Sequence, residues 1–145
     1  LVAGPLPTNM SKDYLLKLNK LLSEGTVNYL GYIKPIQNAI KICRYFVLPT
    51  FYREGIPRVL LEALSMGRPI ITTDTPGCSK TVLHGKNGYF VKVRSPLDLS
   101  EKMIMLIEKN NESILKMSKI SNQLAKDNFD VTNINSELLK VFAFK

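Results

Sequence analysis

Two carboxylates, Glu54 and Glu62, stand eight positions apart in Arg53-Glu54-Gly55-Ile56-Pro57-Arg58-Val59-Leu60-Leu61-Glu62-Ala63-Leu64-Ser65-Met66-Gly67. A carboxylate is an acceptor that can take two hydroxyl hydrogens at once. Between the two glutamates the chain is shaped to receive an anion. Pro57 suits the first position of a helix, and Gly55 lets a ligand approach the backbone. The first-turn N–H groups and the positive end of the helix dipole then favour a phosphate, and so does the Arg58 guanidinium. A cation in the first turn of a helix is otherwise slightly unfavourable. The plainer reading is an i,i+4 surface pair of Arg58 with Glu62, worth only ~0.2–0.5 kcal/mol in this orientation, beside a solvated Glu54. Spacing alone leaves both readings open.

These residues need a frame. The apolar set Val59, Leu60, Ala63, Leu64 and Met66 predicts a helix over 57–66 with one buried face, and puts Arg58, Glu62 and Ser65 on the other. Residues 11–24 repeat apolar side chains at helical spacing from a capping Ser11 to Gly25, and Pro35 opens a second helix over 35–43. Short apolar or β-branched runs predict strands at 27–30, 45–48, 69–73 and 88–93, with a short helix at 77–83. Helices are expected at 96–109, 111–127 and 132–144. Short strands alternating with helices predict an α/β fold with a parallel, doubly wound sheet that binds ligands at its carboxyl edge. The loops after Leu30 and Leu48 open at that edge, so Gly31, Tyr32, Glu54, Gly55 and Arg58 are expected to converge there.

Composition sets the limits. The 145 residues are 45% hydrophobic and 22% charged, an ordinary globular balance with room for one domain. No apolar run is long enough to span a bilayer, and no signal peptide is evident. Cys43 and Cys78 have neither metal-site spacing nor the pattern of a disulfide framework, which fits a reducing cytoplasm. The net charge of +8 is spread over lysines of the expected helices. A solvated surface accounts for it better than nucleic acid, since no groove-reading or aromatic-basic motif is present. Peripheral contact with an anionic membrane at its inner face stays open. Leu1-Val2-Ala3-Gly4-Pro5 reads as the end of a buried strand, so the chain is expected to begin inside a domain.

The Glu54/Glu62 string, together with Leu64-Ser65-Met66-Gly67-Arg68-Pro69-Ile70-Ile71-Thr72-Thr73-Asp74, Pro76-Gly77-Cys78 and Gly85-Lys86-Asn87-Gly88-Tyr89-Phe90-Val91, resembles the retaining nucleotide-sugar glycosyltransferases of family four. Tyr29-Leu30-Gly31-Tyr32 and Phe46-Val47-Leu48-Pro49-Thr50 extend the resemblance upstream, over nearly the whole chain. It implies the C-terminal half of a GT-B enzyme with two Rossmann-like domains: residues 1–145 as the donor-binding domain, short of its first strand and helix, and an acceptor-binding N-terminal domain elsewhere. It also implies that Glu62 holds the ribose, that Gly55, Ile56, Pro57 and Arg58 hold the diphosphate, that Glu54 acts at the donor sugar, and that Gly31, Tyr32 and Ile33 pack the base. The transfer it implies retains anomeric configuration and needs no metal ion or cofactor. The donor expected is a nucleotide sugar, usually a UDP-sugar. The acceptor expected is a glycan or a polyprenyl-diphosphate-linked glycan of capsule, O-antigen or related surface polysaccharide.

Because the resemblance covers less than half of such an enzyme, this stretch alone is expected to bind donor weakly and not to turn over. Arg44 and Lys80 depart from the acidic residues common at those positions. His84 reads as a surface loop residue, and Thr50, Thr73 and Asp74 serve strand-end capping as well as they serve a ligand. The competing readings are another GT-B enzyme, such as a nucleotide-sugar epimerase or one making a soluble disaccharide, and a catalytically silent nucleotide-binding or interaction domain. The intact glutamate pair disfavours the silent domain.

Overall fold

The computed structural model describes residues 1–52 and 55–142. They form two compact units, residues 1–43 and 44–145. In the first, α1 (Lys12–Ser23) starts where Ser11 Oγ accepts the Tyr14 N–H at 3.3 Å, as the sequence predicts. The expected strand at 27–30 contracts to one parallel bridge between Val2 and Tyr29, held by Val2 N–H to the Asn28 carbonyl (2.9 Å) and Leu30 N–H to the Val2 carbonyl (2.8 Å). Leu1 and Val2 are exposed, contrary to the buried strand end expected of them. The helix expected at 35–43 shortens to α2 (Gln37–Lys41), which buries Ala39 and Ile40.

The second unit carries the sheet. Strands β1 (Phe46–Leu48), β2 (Ile70–Thr73) and β3 (Gly88–Val91) are all parallel, in the order β1-β2-β3. Phe46 pairs with Ile70 and Ile70 with Gly88, so the three carboxyl ends open on one side. Between the strands run α3 (Arg58–Ser65) and a 3₁₀ turn at Cys78–Thr81, shorter than the helix expected there. After them come α4 (Pro96–Ile107), α5 (Asn111–Phe129) and α6 (Val131–Phe142). Ser95 and Asn110 accept N–H groups of the first turns of α4 and α5, which sets where those helices begin.

Side chains alternate across the strands. Ile71, Tyr89 and Val91 face a core closed by Leu106 of α4 and by Ile114 and Met117 of α5. The result is the expected α/β class, a Rossmann-like parallel sheet flanked by helices.

A second set of α5 side chains reaches α3. Ser121 Oγ donates to the Arg68 carbonyl at 2.9 Å, and Asn122 Nδ2 donates to the Ser65 carbonyl at 2.7 Å. Gly67, at φ 66°, ends α3 with its Cα close to the Ser118 carbonyl, where a Cβ would sit 3.2 Å from that oxygen. Asn87 is wholly buried: its Oδ1 accepts the Leu83 N–H at 2.6 Å, and its Nδ2 donates to the Thr81 carbonyl at 3.2 Å and to Ser121 Oγ at 3.3 Å. At Gly88 a Cβ would overlap the Ile70 carbonyl oxygen, so only glycine fits beside β2 there.

Candidate functional site

The loop leaving the carboxyl end of β1 leads directly into α3, the placement the sequence predicts for an anion-receiving turn. Pro57 is the N-cap rather than the first helical residue. Its backbone is extended at ψ 122°, and its carbonyl accepts the Leu60 N–H at 2.9 Å. Proline still serves here, since its fixed φ feeds the chain into the helix without adding a donor. Among the described residues, no side-chain cap is made at this end of α3. The N–H groups of Arg58 and Val59 belong to the first turn, where helix N–H groups have no partner within the helix. At Gly55 an added Cβ would meet nothing within 4 Å among the described residues, and Gly55 itself is exposed.

Leu60, Ala63 and Leu64 are the residues of α3 that are buried, while Val59 and Met66, expected in the same set, are half-buried at its margin. The opposite face presents Arg58 and Glu62 together. Arg58 Nε donates to Glu62 Oε1 at 3.3 Å; the Arg58 side chain is 89% exposed and that of Glu62 17%. The plain i,i+4 pair is thus present, but its two members are unlike. Glu62 is largely buried against the protein, whereas Arg58 lies in solvent and reaches along the helix to the Glu62 carboxylate. Ser65 spends its hydroxyl on the Glu62 carbonyl at 2.9 Å and is a backbone partner of the helix end.

Glu54, expected beside the donor sugar, lies outside the described residues, as does Arg53. Gly31, Tyr32 and Ile33 belong to the first unit. Gly31 sits at φ 66° with open space where a Cβ would stand, Tyr32 is exposed, and Ile33 is half-buried, as is Ile56 in the second unit. Within the second unit the structure brings Gly55, Ile56, Pro57, Arg58 and Glu62 together along one turn and one helix.

Other candidates resolve into structural roles. Thr73 donates its hydroxyl to the Thr50 carbonyl, and Thr72 donates to the Leu48 carbonyl at 2.8 Å, so these hydroxyls tie the carboxyl ends of β1 and β2. Thr50 Oγ1 accepts the Tyr52 N–H at 3.3 Å. His84 Nδ1 accepts the Phe90 N–H at 3.1 Å and its ring stacks on Phe90, which makes it a surface latch. Arg44 donates to the Lys109 carbonyl at 2.7 Å and to Asn111 Oδ1 at 3.2 Å, joining β1 to the α4–α5 corner. Lys80 is exposed on its turn. Sequence reasoning overlooked the Asn87–Ser121–Arg68 network, which joins residues far apart in the chain and leaves no local signal.

The family model for Glycosyl transferases group 1 matches residues 1–109, most of the chain. The chain belongs to this family. Among curated proteins, it is 33% identical over 85% of its length to the N,N'-diacetylbacillosaminyl-diphospho-undecaprenol alpha-1,3-N-acetylgalactosaminyltransferase of Campylobacter jejuni. It is also 32% identical over 79% of its length to a capsular polysaccharide biosynthesis glycosyltransferase of Staphylococcus aureus. It spans 32% and 29% of those two proteins. Among solved structures it matches HepE of Anabaena, described as a complex with UDP, with a TM-score of 0.79 and 23% identity over 91% of this chain and 37% of that one. That likeness concerns the fold, and it is consistent with a Rossmann-like C-terminal half of the GT-B arrangement. Among the described residues, no helix of this group 1 glycosyltransferase chain is long and apolar enough to cross a membrane.

Proposed function

We propose that residues 1–145 are the donor-binding domain of a longer enzyme that transfers a sugar from a nucleotide diphosphate sugar, a UDP-sugar, to a glycan or polyprenyl-diphosphate-linked acceptor in surface-polysaccharide synthesis. The observation that carries the reading is the N-terminus of α3, which has no side-chain cap among the described residues and presents Gly55, an exposed Arg58 and a largely buried Glu62. The C. jejuni relative is named for a diphospho-undecaprenol-linked acceptor, the S. aureus relative for capsular polysaccharide, and the HepE structure for UDP. Those names support the substrate classes.

In this reading Glu62 accepts the two ribose hydroxyls, and the backbone of Gly55, Ile56 and the first turn of α3, with Arg58, holds the diphosphate. Glu54 acts at the donor sugar, and Gly31, Tyr32 and Ile33 pack the base. Breaking the glycosidic bond builds negative charge on the departing diphosphate, so fixed positive groups there gain most in the transition state. The helix end and Arg58 supply that charge without a metal ion or other cofactor, and the sugar passes to the acceptor hydroxyl with its anomeric configuration retained while the nucleoside diphosphate departs. The acceptor is held by an N-terminal domain outside this stretch, so the stretch alone does not turn over. The enzyme works in the cytoplasm, at the inner face of the membrane.

The test is made in the full-length protein, titrated with UDP, GDP and ADP. UDP should bind best, Glu62→Ala should weaken it about tenfold or more, and Glu54→Ala should spare UDP binding while lowering transfer. Two variants indistinguishable from wild type in both assays would overturn the assignment.

A further inference from the structure

β2 is buried along its whole length, and strands of that kind in parallel sheets are ordinarily continuous apolar runs. Ile70 and Ile71 conform. Thr72 and Thr73, each 0% exposed, instead put two hydroxyls into the interior at the carboxyl end of the strand. Valine has nearly the same shape and the same preference for strands, and a buried hydroxyl costs free energy unless it is hydrogen-bonded. Each hydroxyl therefore has to be accounted for by its partner.

The two partners differ in kind. Thr72 donates to the Leu48 carbonyl at 2.8 Å, and Leu48 is also its register partner, so this bond lies within the ladder. Thr73 donates to the Thr50 carbonyl, two residues past the last paired residue of β1. At Pro49 the backbone has no N–H with which to continue the ladder. The Thr73 side chain thus holds the departing chain against the sheet after strand pairing has stopped. Beyond Thr50 the contacts move to the surface. Tyr52 N–H reaches Thr50 Oγ1 at 3.3 Å, Phe51 stacks on Tyr52 with ring centroids 4.3 Å apart, and the Arg94 guanidinium carbon lies 4.6 Å from the Phe51 centroid. Both rings are exposed, so these contacts bury little. Among the described residues of this loop, Thr50 is where the chain is tied to a fully buried group.

From Thr50 the chain reaches Gly55 in five residue steps and enters α3 after Pro57. α3 is anchored independently, by buried Leu60, Ala63 and Leu64. Glu62 is carried by that helix, whereas the turn ahead of it takes its position from both of its ends. We propose that Thr73 is a positioning residue for donor binding: its hydroxyl fixes the root of the loop at Thr50, and through it the place of the Gly55–Pro57 turn that holds the diphosphate. The inference rests on the reading above, in which the diphosphate sits on that turn and the ribose on Glu62. Loss of the hydroxyl then acts on the phosphate contacts and spares those of the nucleoside.

The test is titration of the full-length protein with UDP and with uridine. Thr73→Val keeps the shape of the side chain and removes the hydroxyl; it should raise the UDP Kd about tenfold and leave the uridine Kd within about twofold of wild type. Thr73→Ser keeps the hydroxyl and loses the methyl group, and should bind UDP within about twofold of wild type. A packing role would rank these two variants the other way. Thr72→Val removes a buried hydrogen bond of the same kind from within the ladder, and should lower Tm without changing the UDP Kd. Should Thr73→Val yield no folded protein, Thr73→Ala removes the same hydroxyl and is read in the same way. UDP binding by the hydroxyl-free variant equal to that of wild type would overturn the proposal, whatever its Tm. So would a rise in UDP Kd as large in Thr72→Val as in Thr73→Val, by assigning the effect to a loosened sheet. A wild-type protein that binds UDP no better than uridine would overturn the reading of the helix end itself, and this proposal with it.

Discussion

The two ends of α3 are opposites. Its C-terminal end is closed by the protein. Gly67 turns at φ 66° under the Ser118 carbonyl, Asn122 satisfies the Ser65 carbonyl, and Ser121 satisfies that of Arg68 while also meeting buried Asn87. Among the described residues, its N-terminal end has no side-chain cap, nothing that a Cβ at Gly55 would meet, and an arginine exposed to solvent. Helix termini leave similar numbers of backbone groups unsatisfied, so the difference is informative. Where the chain supplies the partners itself, the residues of the motif serve stability. Where it withholds them, the same backbone chemistry is left for a ligand.

Breaking the closed end should therefore cost stability and leave nucleotide selectivity alone. The largest effect is expected for Gly88→Val at the amino end of β3, where overlap with the Ile70 carbonyl should cost more than about 4 kcal/mol and abolish soluble expression. Asn87→Ala leaves the Leu83 N–H and the Thr81 carbonyl without their side-chain partner, so a loss of about 1–3 kcal/mol is expected in urea unfolding. Gly67→Ala puts a Cβ on a left-handed residue against the Ser118 carbonyl and should cost about 1–2 kcal/mol. The surviving folded fraction of each stability variant should bind UDP as wild type does.

At the open end the expectation inverts. Arg58→Ala removes only an exposed i,i+4 pair and should change stability by no more than about 0.5 kcal/mol. The same change should lower kcat by about 10²-fold if the guanidinium meets the leaving diphosphate, and raise donor KM by less than it lowers kcat. A stability loss larger than the loss in kcat would erase the distinction between the two ends.

Much of this contrast was legible in the sequence. The parallel α/β class, the limits of α1 and α4, and the placement of α3 after β1 follow from periodicity and capping residues, which act locally. Pro57 was misplaced by one position, because proline fixes φ at the N-cap as readily as at the first helical residue. The strand at 27–30 shrank to a bridge because apolar composition signals a strand, while pairing depends on what lies beside it. The roles of Asn87, Ser121 and Gly88 come from contacts between residues far apart in the chain, which no local pattern encodes. The Arg94–Phe51 contact escaped for the same reason: it joins two loops across an intervening strand.

The central claim is that the nucleotide diphosphate sits on the open end of α3. Its most direct test is calorimetric titration of the full-length protein and its Gly55→Val variant with UDP and with uridine. Among the described residues a Cβ at this position meets nothing within 4 Å, so Tm should not fall, but a branched side chain would obstruct the approach to the helix N-terminus. The account predicts that wild type prefers UDP to uridine and that Gly55→Val loses most of that preference while still binding uridine. An undiminished preference for UDP in Gly55→Val, with Arg58→Ala also binding UDP as wild type does, would contradict it.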